Sequence, residues 1–210
     1  DESWKVADFD NRGVRAGCND YYTSPADNPE IFKFSYKRVD PVSIQQVEGG
    51  TLYDFGKESF GKLVLFNVKP ENAKVFISLG ETVEEAIDTE MSIVVHNAQA
   101  VNGSAVCDSS ALRYAFVPDQ NVSLDMYLDF EYLDIEDAGS FKCDNEKINR
   151  LWDICAYTLH LNMREGFFDG IKRDRWVWSG DAYQSYFVNY YLTRDKETAK
   201  RTIRMLRGKD

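Results

Sequence analysis

A chain of 210 residues with 43% hydrophobic and 14% aromatic content carries enough apolar material for one large core or two small ones, which excludes a disordered chain. The formal net charge of −10 supplies no basic face for a phosphate backbone, so nucleic acid is excluded as the expected partner and a neutral or cationic ligand is favoured. No apolar run approaches the roughly 18 residues that span a bilayer and Asp1-Glu2-Ser3-Trp4-Lys5 is not a signal peptide, so the chain reads as soluble or already processed, with no membrane insertion.

In chain order, residues 1–46 read as an irregular leading segment. Asn11-Arg12-Gly13, Ser24-Pro25-Ala26-Asp27-Asn28-Pro29 and Asp40-Pro41 break up short apolar runs such as Ile31-Phe32-Lys33-Phe34-Ser35-Tyr36. From about residue 47 to 139, β-branched and aromatic runs separated by turn residues predict six or more short strands: 51–55, 62–68, 74–79, 91–95, 112–117 and 122–132. This pattern predicts an antiparallel β-sandwich. In the last run Val122, Leu124, Met126, Leu128 and Phe130 alternate with polar residues, as in a strand with one buried face. Gly56 and Gly61 suit a turn between strands, with Lys57 and Glu58 as a solvated pair.

Residues 140–210 switch to helical spacing. Ile148, Leu151, Trp152, Cys155, Leu159 and Met163 predict a helix over 145–164 with Asp144 as its cap. A second helix starts at Gly180-Asp181 and ends near Thr193, with Ala182, Tyr186, Phe187, Tyr190 and Tyr191 apolar; the tyrosines read as core. Asp195 caps a third, with Ala199, Ile203 and Leu206 along one face. Three such stripes cannot all bury one another, which suggests that the natural protein continues beyond residue 210.

Cys18, Cys107, Cys143 and Cys155 follow no paired Cys-x-x-Cys pattern, so they read as buried thiols rather than zinc ligands, with a Cys107–Cys143 bridge left open. His96 and His160 offer little material for a triad or a metal centre, and His160 reads as a packed helical residue.

The connection at 169–181 concentrates the chemistry. Asp169, Asp174 and Asp181 supply three carboxyls, Lys172, Arg173 and Arg175 three cations, and Trp176 and Trp178 two flat apolar faces. Glycosidic cleavage needs a protonated carboxyl beside the leaving oxygen and a second carboxylate to activate water or attack the sugar. Clustered carboxyls can keep one proton, the cations can hold the others ionised, and indole faces pack on the C–H surface of a sugar. The same residues also fit a structural role, with Asp169 ending a loop, Asp181 capping a helix, the arginines in ion pairs and the tryptophans in the core.

The stretch Asp169-Gly170-Ile171-Lys172-Arg173-Asp174-Arg175-Trp176-Val177-Trp178-Ser179-Gly180-Asp181 resembles the signature of the bacterial α-L-rhamnosidases of glycoside hydrolase family 78, which has the form Asp-[Cys/Gly]-x-x-Arg-[Asp/Glu]-Arg-x-x-Trp-x-Gly-Asp. Cys143 to Trp152 resembles the first helix of that family's catalytic domain, and Tyr53 to Glu58 a strand and turn of its preceding sandwich. The resemblance implies an (α/α)6 barrel, incomplete in this chain, that performs inverting hydrolysis of terminal α-L-rhamnose with neither metal nor cofactor.

It places Asp174 where the family has its general acid, usually glutamate, and Asp169, Asp181, Arg173 and Trp178 at the sugar, with Trp176 offering a second face. Because aspartic acid is one methylene shorter than glutamate, either the loop sits closer to the sugar or Asp169 is the donor and Asp174 a binder. The general base is expected beyond this chain, so the 210 residues alone should be inactive. A rhamnose-containing glycan is the expected partner and the periplasm or cell exterior the expected compartment. The reading from a different class is a non-catalytic carbohydrate-binding or structural module.

Overall fold

The computed structural model describes residues 33–207. Two compact units emerge: a sheet unit of Ser35–Tyr132 together with Ile171–Arg173, and a helical unit containing residues 33–34, 133–170 and 174–207. No described helix is long and apolar enough to cross a membrane.

The sheet unit holds strands β1 (Ser35–Val39), β2 (Ser43–Val47), β3 (Gly50–Lys69), β4 (Lys74–Gly80), β5 (Val94–Gln99), β6 (Ala105–Val106), β7 (Ser110–Pro118) and β8 (Ser123–Tyr132). All belong to one antiparallel sheet in the order β1-β8-β3-β7-β4-β5, with β2 and β6 also paired to β3. The expected sandwich of two sheets is thus one sheet, curled as a half-barrel around a core that includes Leu63, Leu65, Ile77, Leu112 and Leu128.

The twenty-residue β3 makes this possible. Its first half pairs with β2 and β7, its second half with β6 and β8, and the register with β7 shifts between Asp54 and Ser59. The turn expected between Gly56 and Gly61 is therefore a bulge within one strand. Gly56 supplies the φ of +85° that a side chain would resist. Gly61 lets β8 approach, since a Cβ there would stand 2.2 Å from the Asp129 carbonyl oxygen.

Strand β1 and all of β2 except Val47 fall within the stretch read as irregular. Both are mostly exposed, with only their end residues half-buried, so neither shows the alternation that marks a strand from sequence; pairing with β8 and β3 makes them strands. The leading residues 1–32, with Cys18, lie outside the described residues. The alternation in β8 holds through Met126 and Leu128 and then reverses: Glu131 is buried, with Oε2 accepting from the Tyr36 hydroxyl at 3.0 Å and the Ser109 hydroxyl at 3.3 Å. A short helix that the periodicity does not announce, α1 (Val83–Ile87), follows β4 and is capped by the Thr82 side chain.

The helical unit contains α2 (Glu146–Asn162), α3 (Ser179–Leu192) and α4 (Lys196–Arg207). The cap of α2 is Asn145 rather than Asp144, its side chain accepting the Lys147 N–H. Leu159, Met163, Phe167 and Leu192 form the main cluster of this unit, and Tyr186 meets Phe167 edge-on at 5.4 Å between ring centres. Tyr190 and Tyr191, expected in the core, are exposed.

Helix α4 also departs from its predicted face. Ile203 and Leu206 are exposed, while Thr198, Thr202 and Met205 are buried. Both threonines are hydrogen-bonded: Thr202 Oγ1 donates to the Thr198 carbonyl at 2.7 Å, and Thr198 Oγ1 accepts from Arg201 Nη2 at 2.8 Å. Asp195 caps α4 as predicted, accepting the Glu197 and Thr198 N–H groups at 3.2 and 2.8 Å.

Cys107, Cys143 and Cys155 are free thiols, of which only Cys107 is buried. His160 is partly exposed and its Nε2 lies 2.7 Å from Asp137 Oδ1, a polar pairing rather than core packing.

Candidate functional site

The loop carrying the signature begins where α2 stops. Met163 closes α2 with its N–H on the Leu159 carbonyl, the Arg164 N–H reaches the Gly166 carbonyl at 2.9 Å, and the Phe168 N–H returns to the Asn162 carbonyl at 3.0 Å. Helix α4 holds this reversal. The Phe167 N–H donates to Thr202 Oγ1 at 2.9 Å and Arg201 Nε donates to the Glu165 carbonyl at 2.9 Å. Gly166 packs closely under α4: a Cβ there would stand 2.8 Å from Met205 Sδ, so that side chain would have to shift. Arg164 is buried with its guanidinium 4.1 Å from the centre of the Phe34 ring, a cation–π contact that helps to offset its loss of water.

Asp169 then closes a loop on Trp176 in both directions. The Asp169 N–H donates to the Trp176 carbonyl, and the Trp176 N–H donates to Asp169 Oδ1, each at 2.9 Å. The neighbours of this closure are anchored: Phe168 and Val177 are buried with Ala182 and Met205 in one cluster. Arg175 turns the chain back towards Trp176 with a φ of +51°, a left-handed conformation that costs a non-glycine residue on the order of 1 kcal/mol. Asp174 is exposed on the loop so formed, and Asp169 at its base is half-buried.

Trp178 occupies the cap position of α3 with extended backbone, its carbonyl accepting the Ala182 N–H at 2.9 Å. The residue is 51% exposed, so it is not core; Trp176 is half-buried. Asp181 lies in the first turn of α3, exposed, where a negative charge suits the helix dipole, but it is not the cap. The helical unit therefore holds Asp169, Asp174, Asp181, Trp176 and Trp178 on one loop and the helix that follows it. Arg173 is exposed and groups with the sheet unit.

Lys172 does not follow the expectation that it steadies the aspartates of its own loop: it pairs with Glu85, and at 3.9 Å with Glu81, in the sheet unit. Sequence reasoning also missed Glu58, whose carboxyl oxygens are buried rather than solvated. Burial, reinforced by Glu81, pushes its pKa up to about 8. A glutamate beside a bulge glycine was the available signal, and by itself it is weak.

Residues 1–117 match the family described as alpha-rhamnosidase-like, bacteroidetes, N-terminal, and residues 136–210 match the bacterial alpha-L-rhamnosidase 6 hairpin glycosidase domain. The chain belongs to the bacterial α-L-rhamnosidase family. No curated protein matches the sequence.

Among solved structures, this rhamnosidase-family chain is similar to a rhamnosidase from Klebsiella oxytoca with rhamnose bound (TM-score 0.69, 15% identity, covering 84% of this chain and 45% of that one). It is also similar to the family 78 rhamnosidase of Bacillus sp. GL1 (TM-score 0.61, 23% identity, 76% and 18%). A third is the Streptomyces avermitilis α-L-rhamnosidase complexed with L-rhamnose (TM-score 0.64, 13% identity, 81% and 18%). The chain thus spans less than half the length of each, and at these identities the likeness is one of fold.

Proposed function

We propose that the protein is an α-L-rhamnosidase whose signature loop supplies the proton donor and part of the sugar site. The observation that carries this reading is the Asp169–Trp176 closure, which fixes the base of the loop and leaves Asp174 exposed on it. Asp169 Oδ1 accepts the Trp176 N–H at the base of the loop, which suits a fixed sugar ligand, while Asp174 is exposed on the loop. Asp174 therefore takes the acid's role and protonates the departing glycosidic oxygen. Asp169 and Asp181 accept hydrogen bonds from sugar hydroxyls, Arg173 donates to them, and Trp178, with Trp176 beside it, offers an apolar face to the ring.

Inversion requires a water between the acid and a second carboxylate some 6.5–9.5 Å away. We assign that carboxylate to a part of the protein outside these 210 residues, with α2, α3 and α4 opening an (α/α)6 barrel. The family match over residues 136–210 supports this assignment.

The test is Asp174→Asn in the full-length protein, assayed with two α-L-rhamnosides of different leaving group. An alkyl or sugar aglycone needs protonation to depart, so kcat/KM should fall about 10²–10⁴-fold. Nitrophenolate departs more easily and should show a smaller loss. Equal losses on both substrates would remove Asp174 from the donor's role.

A further inference from the structure

Phe167 and Phe168 lead into the signature at Asp169, and the backbone N–H groups of these three residues go to three different places. The Phe168 N–H returns to the Asn162 carbonyl of α2 at 3.0 Å, and the Asp169 N–H crosses the loop to the Trp176 carbonyl at 2.9 Å. The Phe167 N–H donates to Thr202 Oγ1 of α4 at 2.9 Å. Of the three acceptors, this one alone belongs to a side chain.

Thr202 is fully buried, and its single hydroxyl proton is committed to the Thr198 carbonyl at 2.7 Å, which leaves the oxygen lone pairs to the Phe167 N–H. Valine has nearly the same shape and can neither accept nor donate. The approach is close, since a Cβ on Gly166 would stand 3.1 Å from Thr202 Oγ1. Arg201, from the same turn of α4, adds a second tie through its Nε on the Glu165 carbonyl at 2.9 Å. The Phe167 ring meets Tyr186 of α3 edge-on, and Phe168 lies in one buried cluster with Val177, Ala182 and Met205. Every one of these residues belongs to the helical unit. A buried N–H left without an acceptor costs more than a made hydrogen bond gains, so removing the Thr202 oxygen favours a shift of the Phe167 backbone towards another partner.

We propose that Thr202 is a positioning residue, whose hydroxyl holds the start of the signature loop against α4 and thereby sets where the Asp169 carboxylate stands. This rests on the reading of Asp169 as a sugar ligand given above. Two residues of chain span at most about 7 Å, so a fixed Phe167 confines Asp169 to a small volume. Phe168 between them is itself buried, which leaves little slack. The hydrogen bond from the Trp176 N–H to Asp169 Oδ1 then passes the position of Asp169 on to the far arm of the loop.

Two measurements on the full-length protein test the proposal. In Thr202→Val, amide hydrogen exchange at Phe167, Asp169 and Trp176 should quicken at least about tenfold, and Thr202→Ser, which keeps the hydroxyl, should return it towards wild type. Quickening confined to Phe167 overturns the positioning role, because the base of the loop is then fixed without Thr202. In calorimetry on the folded protein, Thr202→Val should weaken rhamnose binding about five- to twentyfold, with Thr202→Ser restoring it. The loss should vanish in an Asp169→Asn background, where no carboxylate is left to place. Unaltered affinity in Thr202→Val, as a purely structural threonine predicts, or the same loss in both backgrounds, would overturn the proposal. If Thr202→Val does not fold, Thr202→Ala removes the same acceptor without crowding and is held to the same outcomes. A wild-type protein that binds no rhamnose, or normal affinity in Asp169→Asn, would instead sink the sugar-ligand reading, and the exchange arm would still judge the hold of Thr202 on the loop.

Discussion

Under the proposed reading Asp169 has two duties that substitution can separate. As a loop clamp it needs only an acceptor for the Trp176 N–H, which the amide of Asp169→Asn retains and the methyl of Asp169→Ala does not. As a sugar ligand it needs the full charge of a carboxylate, which both changes remove. Asp169→Ala should therefore destabilise the helical unit by about 1–2 kcal/mol in denaturant titrations, whereas Asp169→Asn should stay within about 0.5 kcal/mol of wild type. Both should weaken rhamnose binding measured by calorimetry. A normal rhamnose affinity in Asp169→Asn would limit the residue to the clamp. That the aspartates and Trp178 share one loop and the start of the next helix was legible in the sequence because they lie within thirteen residues. Lys172 was legible as a charge but not as the partner of Glu85, which stands 87 positions away with four strands built by the intervening chain.

At the scale of elements, periodicity worked where one face of a strand or helix is apolar and failed where polar groups satisfy each other inside. Strand β8 reads correctly until Glu131, which is buried because Tyr36 and Ser109 supply its hydrogen bonds. Helix α4 reads on the wrong face because Thr198 and Thr202 bury hydroxyls that are already bonded, and Thr202 also takes the N–H of Phe167, two residues before the signature. No residue type announces such pairings. Glycines misled in another way: Gly56 and Gly61 look like a turn, yet they permit a bulge and a close strand approach within β3. Gly61→Ala would push a methyl against the Asp129 backbone in the β3–β8 pairing, where no flexible side chain can yield. A loss of about 2–3 kcal/mol is expected, read as a lower denaturation midpoint of the sheet unit at unchanged slope. A midpoint equal to wild type would show that β8 can shift without cost.

For the molecule as a whole, the acidic balance hides one carboxyl that behaves against type. Lys57 and Glu58 look like a solvated pair in the sequence, but the bulge in β3 turns Glu58 inward, where its oxygens are lost to water. Burial is the largest cause of its raised pKa; Glu81 and Glu85 add to it, and Lys172 and Arg113 only partly oppose them. With a folded value of about 8 against an ordinary 4.5, the native protein keeps a proton that the unfolded chain releases across this interval. Stability from this group is thus fully present below about pH 4.5 and is lost as the pH rises through about 8. A tenfold difference in proton affinity between folded and unfolded chain corresponds to about 1.4 kcal/mol, so the effect is on the order of a few kcal/mol. Wild-type stability should therefore decline between about pH 5 and 9 relative to Glu58→Gln, whose amide mimics the protonated carboxyl and cannot titrate. The difference between the two profiles isolates Glu58 from every other titrating group, including His96, whose pKa burial lowers. Denaturant midpoints across that range should converge at the acidic end and separate at the alkaline end, with Glu58→Gln the more stable. Parallel profiles would mean that the Glu58 carboxyl reaches water and titrates as an ordinary surface acid.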